Sequence, residues 1–412
     1  MLRCVSLIIA VAAFFGCAAL ADDSPQFRGT HRTGVFDETG LMKAWPEGGP
    51  PLAWVAKGVG AGFSSAAVRD GKIYVTGTLA DQESFVFILD LDGKELARIP
   101  YGKESTAEMA PCARSTPTLD GDRLYFLASL GQATCIDHVK KEVVWQVNIL
   151  DRFKGPNNEW HLSENLLVDG DRVIVTPGGP DASIAALNKM TGETLWTTKG
   201  LTDMASYVPP IIVTHNGRRI LLTETSKVLV CCDAETGELL WTHDHPTQYD
   251  IHVCTPLYHD GCIYYVAGYK SGGGLLKLSD DATSVTQVWL DTELDCQHHG
   301  VMLVDGYLYG TSHHRGGGQM VCLEWATGKV MWTSKDIRQG NVVFADGMLY
   351  VYEGPKSGIV SLVKPSPAGL ERTGTFTITE GEGNHWAHQT IANGKMYIRH
   401  GDALLCYDIT QK

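Results

Sequence analysis

Imidazole, carboxylate, guanidinium and indole groups gather in a few short stretches of this chain. Arg114 comes first, then Trp160, His161 and Glu164, then His252, the pair His298-His299, and finally Trp386 and His388. A neutral imidazole beside a carboxylate can move protons near neutral pH, and a guanidinium can hold an anion or a quinone. In that chemistry Glu164 is the candidate base and His299 and His388 are the candidate acid–base groups. Arg114, Trp160, His161, His252, His298 and Trp386 are the candidate ligand-binding residues. The same groups suit zinc or copper, but no His-x-x-x-His or Cys-x-x-Cys spacing supports a preformed metal site, which leaves the metal open. Other chemistries lack their residues. There is no Gly-x-Ser-x-Gly nucleophile and no Cys-x-x-Cys-His haem site. The glycine runs at 272–274 and 316–318 lack the Lys-Ser/Thr of a phosphate-binding loop.

Residues so far apart meet only if the elements between them repeat. Asp-Gly or Asn-Gly pairs flanked by apolar and β-branched runs occur at Asp70, Asp120, Asp169, Asn216, Asp260, Asp305, Asp346 and Asn393, at steps of 50, 49, 47, 44, 45, 41 and 47 residues. Such pairs favour tight hairpins, because both central turn positions take positive φ. About twenty-five residues further on in a unit comes a second turn and a Trp: Thr191-Gly192 with Trp196, Thr236-Gly237 with Trp241, and Thr327-Gly328 with Trp332. Four strands per unit at this period predict an all-β fold, an eight-bladed β-propeller of four-stranded antiparallel blades. The eighth unit ends one strand short at Cys406-Tyr407-Asp408, and Pro51-Leu52-Ala53-Trp54-Val55 is a spare strand. The ring is therefore expected to close through that N-terminal strand in the last blade. In such a ring the loops leading into each innermost strand share one face with the loops between second and third strands. That face collects the His, Glu, Arg and Trp residues above, and it is the expected working face. The inner-strand positions of Ser115, Glu164, Gly300 and His388 are equivalent there.

The Ala/Cys-x-Asp-x-x-Thr-Gly-x-x-x-Trp pattern resembles the blade signature of PQQ-like (pyrroloquinoline quinone repeat) propellers, a superfamily that includes quinoprotein alcohol dehydrogenases and BamB. Trp160-His161-x-Ser163-Glu164, His298-His299-Gly300 and Tyr307-Leu308-Tyr309-Gly310 look closest to secreted single-propeller members labelled BamB-like or polyvinyl-alcohol-dehydrogenase-like. The resemblance implies three readings. One is a binding or assembly module that takes a small-molecule, polymer or protein ligand on the His-rich face. Another is an oxidoreductase like the PQQ-dependent alcohol dehydrogenases, with PQQ and calcium as cofactors. Against it, the chain lacks the large insertions between blades of those enzymes, and their calcium ligands and catalytic Asp cannot be assigned residue by residue. The last is a polysaccharide hydrolase or lyase. If the chain is an enzyme, the quinone-dependent reading is favoured.

The cysteines and the charge bound these readings further. Cys135, Ala186, Cys231 and Cys322 each stand ten residues before their blade's Trp, so the slot wants a small apolar side chain and a Cys serves as one. Cys231-Cys232 also invites comparison with a vicinal disulfide, which the slot argument disfavours, while Cys112 and Cys296 fall in loops and stay open. Residues 1–21 read as a signal peptide: Arg3, an apolar run to Leu20, and Ala19-Leu20-Ala21 as a cleavage site. Lipid attachment at Cys17 is disfavoured by Phe14-Phe15-Gly16 before it. Residues 22–50 form an N-terminal extension and 51–412 the single propeller. The expected location is periplasmic or secreted, with no transmembrane segment and a monomeric state. A formal charge of −13 with no Lys/Arg cluster excludes nucleic acid as a partner.

Overall fold

The computed structural model describes residues 23–109, 111–297, 300–313 and 317–412. The expected signal peptide, Cys17, His298 and His299 lie outside the described residues. Eight antiparallel sheets follow one another around a ring, each meandering from an inner strand at the axis to an outer strand at the rim. Blade 1 runs from Ala67–Arg69 to Glu95–Lys103, blade 4 from Ile211–His215 to Leu239–Asp244, and blade 8 starts at Thr390–Ala392. Each Asp-Gly or Asn-Gly pair closes the first hairpin of its blade. Asp70, Asn216, Asp260, Asp305, Asp346 and Asn393 all take positive φ, as that tight turn demands.

Neighbouring blades are held by a repeated latch. The outer-strand Trp lies on the last turn of the next blade, and its indole N–H donates to a carbonyl there. Trp145 bonds Lys189 O at 2.9 Å, Trp241 Ala282 O at 3.1 Å, Trp289 Trp325 O at 2.9 Å and Trp332 Ser366 O at 2.8 Å. At Trp54, Trp145, Trp196 and Trp289 the ring face lies on a glycine. A Cβ on Gly328 would meet the Trp289 ring at 2.6 Å, and one on Gly237 would strike Trp196. That close approach accounts for the Thr-Gly pairs in the blades after Trp145, Trp196 and Trp289.

Closure uses the same latch. Leu52–Lys57 pairs antiparallel with Ala403–Asp408, setting Trp54 opposite Cys406, and Trp54 Nε1 bonds Leu91 O of blade 1 at 2.8 Å. Arg399 of blade 8 crosses the seam fully buried and donates to Ser64 Oγ (2.6 Å), Gly60 O (2.7 Å) and Thr76 O of blade 1. Cys231 and Cys232 lie on an extended strand and point to opposite sides, Cys231 into the packing with blade 5 and Cys232 into that with blade 3. Both are buried packing residues.

Residues 23–50 are more than a lead. Ser24 bridges to Val68 of blade 1, and Pro25 O accepts from Leu119 N of blade 2. Val35–Phe36 adds a parallel fifth strand inside blade 7. The Glu38 carboxylate accepts from Asn393 N and Gly394 N, Leu41 bridges to Thr410, and Trp45 packs on Phe376 and Tyr350. The arm thus crosses the axis and joins blades 1, 2, 7 and 8. Deleting residues through Lys57 should leave blade 8 with an open edge and unplug the ring, giving aggregates or a melting temperature lowered by about 10 °C or more. Deletion through Asp22 should leave the melting temperature unchanged. A soluble, equally stable product of the longer deletion would contradict this closure.

Candidate functional site

The arm leaves part of the axis open as a cavity of about 570 Å³. Its floor is Phe27, Arg28, His31, Arg32 and Thr33 of the arm. Its walls are the inner strands of blades 4 to 6, through Ile211, Ile212, Val213, Leu257 and Leu303. The loops leading into the inner strands surround it with Pro111, Arg114, Trp160, Ser163, Asn165, Tyr207, Gln297, Trp386 and His388, and Tyr269 joins them.

The floor rests on two buried cations. Arg28 donates to Val342 O (3.3 Å), Thr33 O (2.9 Å) and Met302 Sδ (3.4 Å), and Arg32 to Leu166 O (3.0 Å), Asn165 O (2.5 Å) and Gln26 Oε1 (3.0 Å). These partners are neutral. Burial lowers both guanidinium pKa values to about 10, so both stay charged at neutral pH. Gly300 is part of this arrangement, since a Cβ there would occupy the space of the Arg28 guanidinium. The sequence reading treated residues 22–50 only as an extension and missed Arg28 and Arg32. The chain gives little signal for them beyond two arginines in an otherwise aperiodic segment.

The structure distributes the expected site residues unequally. Arg114, Trp160, Trp386 and His388 do line the cavity. Arg114 donates to Trp160 O at 2.6 Å and stacks over Tyr207 at 5.7 Å, while Trp386 packs on Phe63. His388 receives Arg28 Nη1 on its Nδ1 at 3.3 Å, which puts the proton of the neutral ring on Nε2. His161 sits beside the cavity, its Nδ1 2.8 Å from Asn157 Nδ2, and desolvation followed by the Arg114 charge lowers its pKa.

Glu164 and His252 turn away from it. Ser163 and Asn165 face the axis, and Glu164 between them points into blade 3. Its Oε2 accepts from Thr176 N (3.1 Å) and Thr176 Oγ1 (2.5 Å), twelve residues on. Ser115 Oγ accepts from Leu127 N over the same interval, so the slot braces the end of the second strand in both blades. His252 is fully buried against Glu224 and His245. His245 Nδ1 lies 2.6 Å from Glu224 Oε2, and His252 Nε2 2.6 Å from His245 O and 3.6 Å from that same carboxylate oxygen. Glu224 and His245 were not legible as partners, because they meet only through the fold of blade 4.

None of the described residues lining the cavity is Asp or Glu. The residues after Asp22 left out of the description are Ala110, His298, His299, His314, Arg315 and Gly316, and none of them is acidic. Calcium and related hard cations take six to eight oxygen ligands, with carboxylates prominent among them. The donor set here does not fit a quinone–calcium pair.

The family model described as outer membrane protein assembly factor BamB matches residues 44–334. The chain belongs to that family. Among curated proteins, BamB of Kangiella koreensis is 26% identical over 180 residues, a stretch covering 43% of this chain and 42% of that protein. The BamB-family chain also shares its fold with BamB from Moraxella catarrhalis, at a TM-score of 0.61 and 15% identity over 87% of this chain and 99% of that one. Quinohemoprotein alcohol dehydrogenase from Comamonas testosteroni superposes with a TM-score of 0.66 and 13% identity over 95% of this chain and 81% of the enzyme. At such identities these structures establish the propeller alone.

The brace at Glu164 has a pH signature. Burial raises its carboxyl pKa from the ordinary 4.5 to about 7. The folded state therefore holds the proton more tightly, and that stabilisation is present below pH 4.5 and lost as pH rises through 7. The span is worth about 3 kcal/mol. Urea unfolding of Glu164→Gln and wild type should show the variant gaining by that order on going from pH 4.5 to pH 8. A stability difference that is flat across this range would contradict the assignment.

Proposed function

We propose that this chain is a binding module whose cavity takes an anionic ligand with an apolar body, entering from the His-rich face. The observation that carries this reading is the composition of the cavity: three arginines, Arg28, Arg32 and Arg114, with no acidic side chain among the described lining residues. The cavity surface is positive at these three side chains, and an anion brings the complementary charge. The aliphatic wall of Ile211, Ile212, Val213 and Leu257 favours an apolar body, and Trp160 and Trp386 offer flat surfaces near Arg114. A carboxylate-bearing amphiphile or the C-terminal segment of an apolar polypeptide has this chemistry. The second suits a family described by outer membrane protein assembly. We further place the protein outside the cytoplasm as a monomer, with residues 1–21 as its leader. In support, residues 1–21 carry Arg3, an apolar run to Leu20 and the small-residue stretch Ala19-Leu20-Ala21.

The oxidoreductase and hydrolase readings receive less support. The acid-free lining offers calcium no carboxylate ligand, and Glu164, the expected base, is engaged with Thr176 inside its blade.

Calorimetric titration separates these readings. Decanoate should bind, and decyltrimethylammonium should bind at least about tenfold more weakly, a difference of 1.4 kcal/mol or more. Arg114→Gln should lose at least about tenfold in decanoate affinity, while Thr236→Ala in the opposite turn should not change it. PQQ should bind no more tightly with calcium than without. Equal binding of the anion and the cation, or an unchanged Arg114→Gln variant, would contradict the proposal.

A further inference from the structure

Two cysteines meet on the cavity wall. Cys254 lies in the loop leading into Leu257–His259 of blade 5, and Cys296 in the loop leading into Met302–Val304 of blade 6. Their sulfurs are 3.3 Å apart, and Cys254 Sγ is also 3.4 Å from Cys296 O. Both are buried, but only Cys254 lines the cavity. The sequence reading left Cys296 open and gave Cys254 no role.

The surroundings of this pair differ from those of the packing cysteines. Burial pushes the thiols of Cys112, Cys135, Cys231, Cys232, Cys322 and Cys406 up. Cys254 goes the other way: the hydrogen bond with Cys296 lowers it against the opposing effects of burial and the Glu224 charge, with smaller help from Gly300 and Arg28. Among the described residues Arg28 donates to Val342 O, Thr33 O, Met302 Sδ and His388 Nδ1, and the charges of the two sulfurs act on it. The thiolate is the form that attacks disulfides, and the nearby Arg28 charge favours that form at Cys254.

We propose that Cys254 and Cys296 are a reactive dithiol that closes to a disulfide by exchange with a small disulfide entering the cavity. The Cys254 thiolate attacks one sulfur of that disulfide, forming a mixed disulfide and expelling one thiolate. Cys296 then attacks Cys254 Sγ, forming the internal bond and expelling the second. The two protein thiols are oxidised, the incoming disulfide is reduced to two thiols, and the two cysteine protons end on them. The sulfurs must approach from 3.3 Å to about 2.05 Å. The roles are asymmetric, because the cavity gives access to Cys254 and Cys296 stands behind it.

The test is peptide mapping of the folded, reduced protein after incubation with 2-hydroxyethyl disulfide, with alkylation of the remaining thiols in denaturant. The expected product is a Cys254–Cys296 linked peptide, with the other seven cysteines of the described residues alkylated. Cys296→Ser should stop at a mixed disulfide on Cys254, and Cys254→Ser should leave Cys296 unmodified. Far-UV circular dichroism identifies a variant that has not folded, and the wild-type map then decides alone. Full alkylation of both cysteines in wild type would overturn the proposal. So would adducts on both without a link, or reaction at Cys296 in folded Cys254→Ser at the wild-type rate.

Discussion

An eight-bladed ring encloses an axial hole that its own inner strands do not fill, and the polar groups facing that hole need partners. Here the N-terminal arm crosses the axis and supplies them. Arg32 satisfies carbonyls at the start of blade 3, Arg28 reaches the main chain of blade 7 and the imidazole of His388 in blade 8, and Glu38 caps the first turn of blade 8. Burying two guanidiniums is tolerable only because each is held by several acceptors at once. The arm therefore acts as a structural member of the ring and as the floor of its cavity. Without it, neither the electrostatics of the cavity nor the seam at blade 8 would exist in this form.

The rim obeys a simpler rule. After blades 2, 4, 5 and 6 a Trp donates its N–H to a carbonyl in the last turn of the next blade, so the same contact recurs around the ring. Arg399 does at the closing seam what no repeated residue could, bridging the carbonyls of Gly60 and Thr76 from the other side. Stability is thus spread around the circumference, while the axis is specialised. That division lets the lead-in loops vary in chemistry without loss of the fold.

What was legible in the sequence follows the same division. The blades were, because each Asp-Gly turn and each Trp-on-glycine contact is a local demand that leaves a periodic mark. The closing strand at Trp54 was, because a ring one strand short has one place to find it. The course of the arm was not, since Arg28 and Arg32 are buried by tertiary contacts that no local pattern announces. Glu164 shows a finer limit. Aligning it with Ser115 found a real slot, but that slot faces the second strand of its blade, one residue out of phase with Ser163 and Asn165 on the axis. His252, expected among the ligand-binding residues, faces the buried carboxylate of Glu224 beside His245, a grouping that no local spacing announces.

The cavity chemistry depends on the arm being a fixed part of the native state, so its amide protection is the decisive quantity. Hydrogen exchange followed by mass spectrometry on the native protein measures it directly. Peptides covering residues 24–45 should exchange as slowly as the inner strand Gly340–Ala345 of blade 7, with which Val35–Phe36 pairs. Exchange of those peptides as fast as the exposed turns at the rim would mean an undocked arm, and would contradict both the sealed ring and the guanidinium floor.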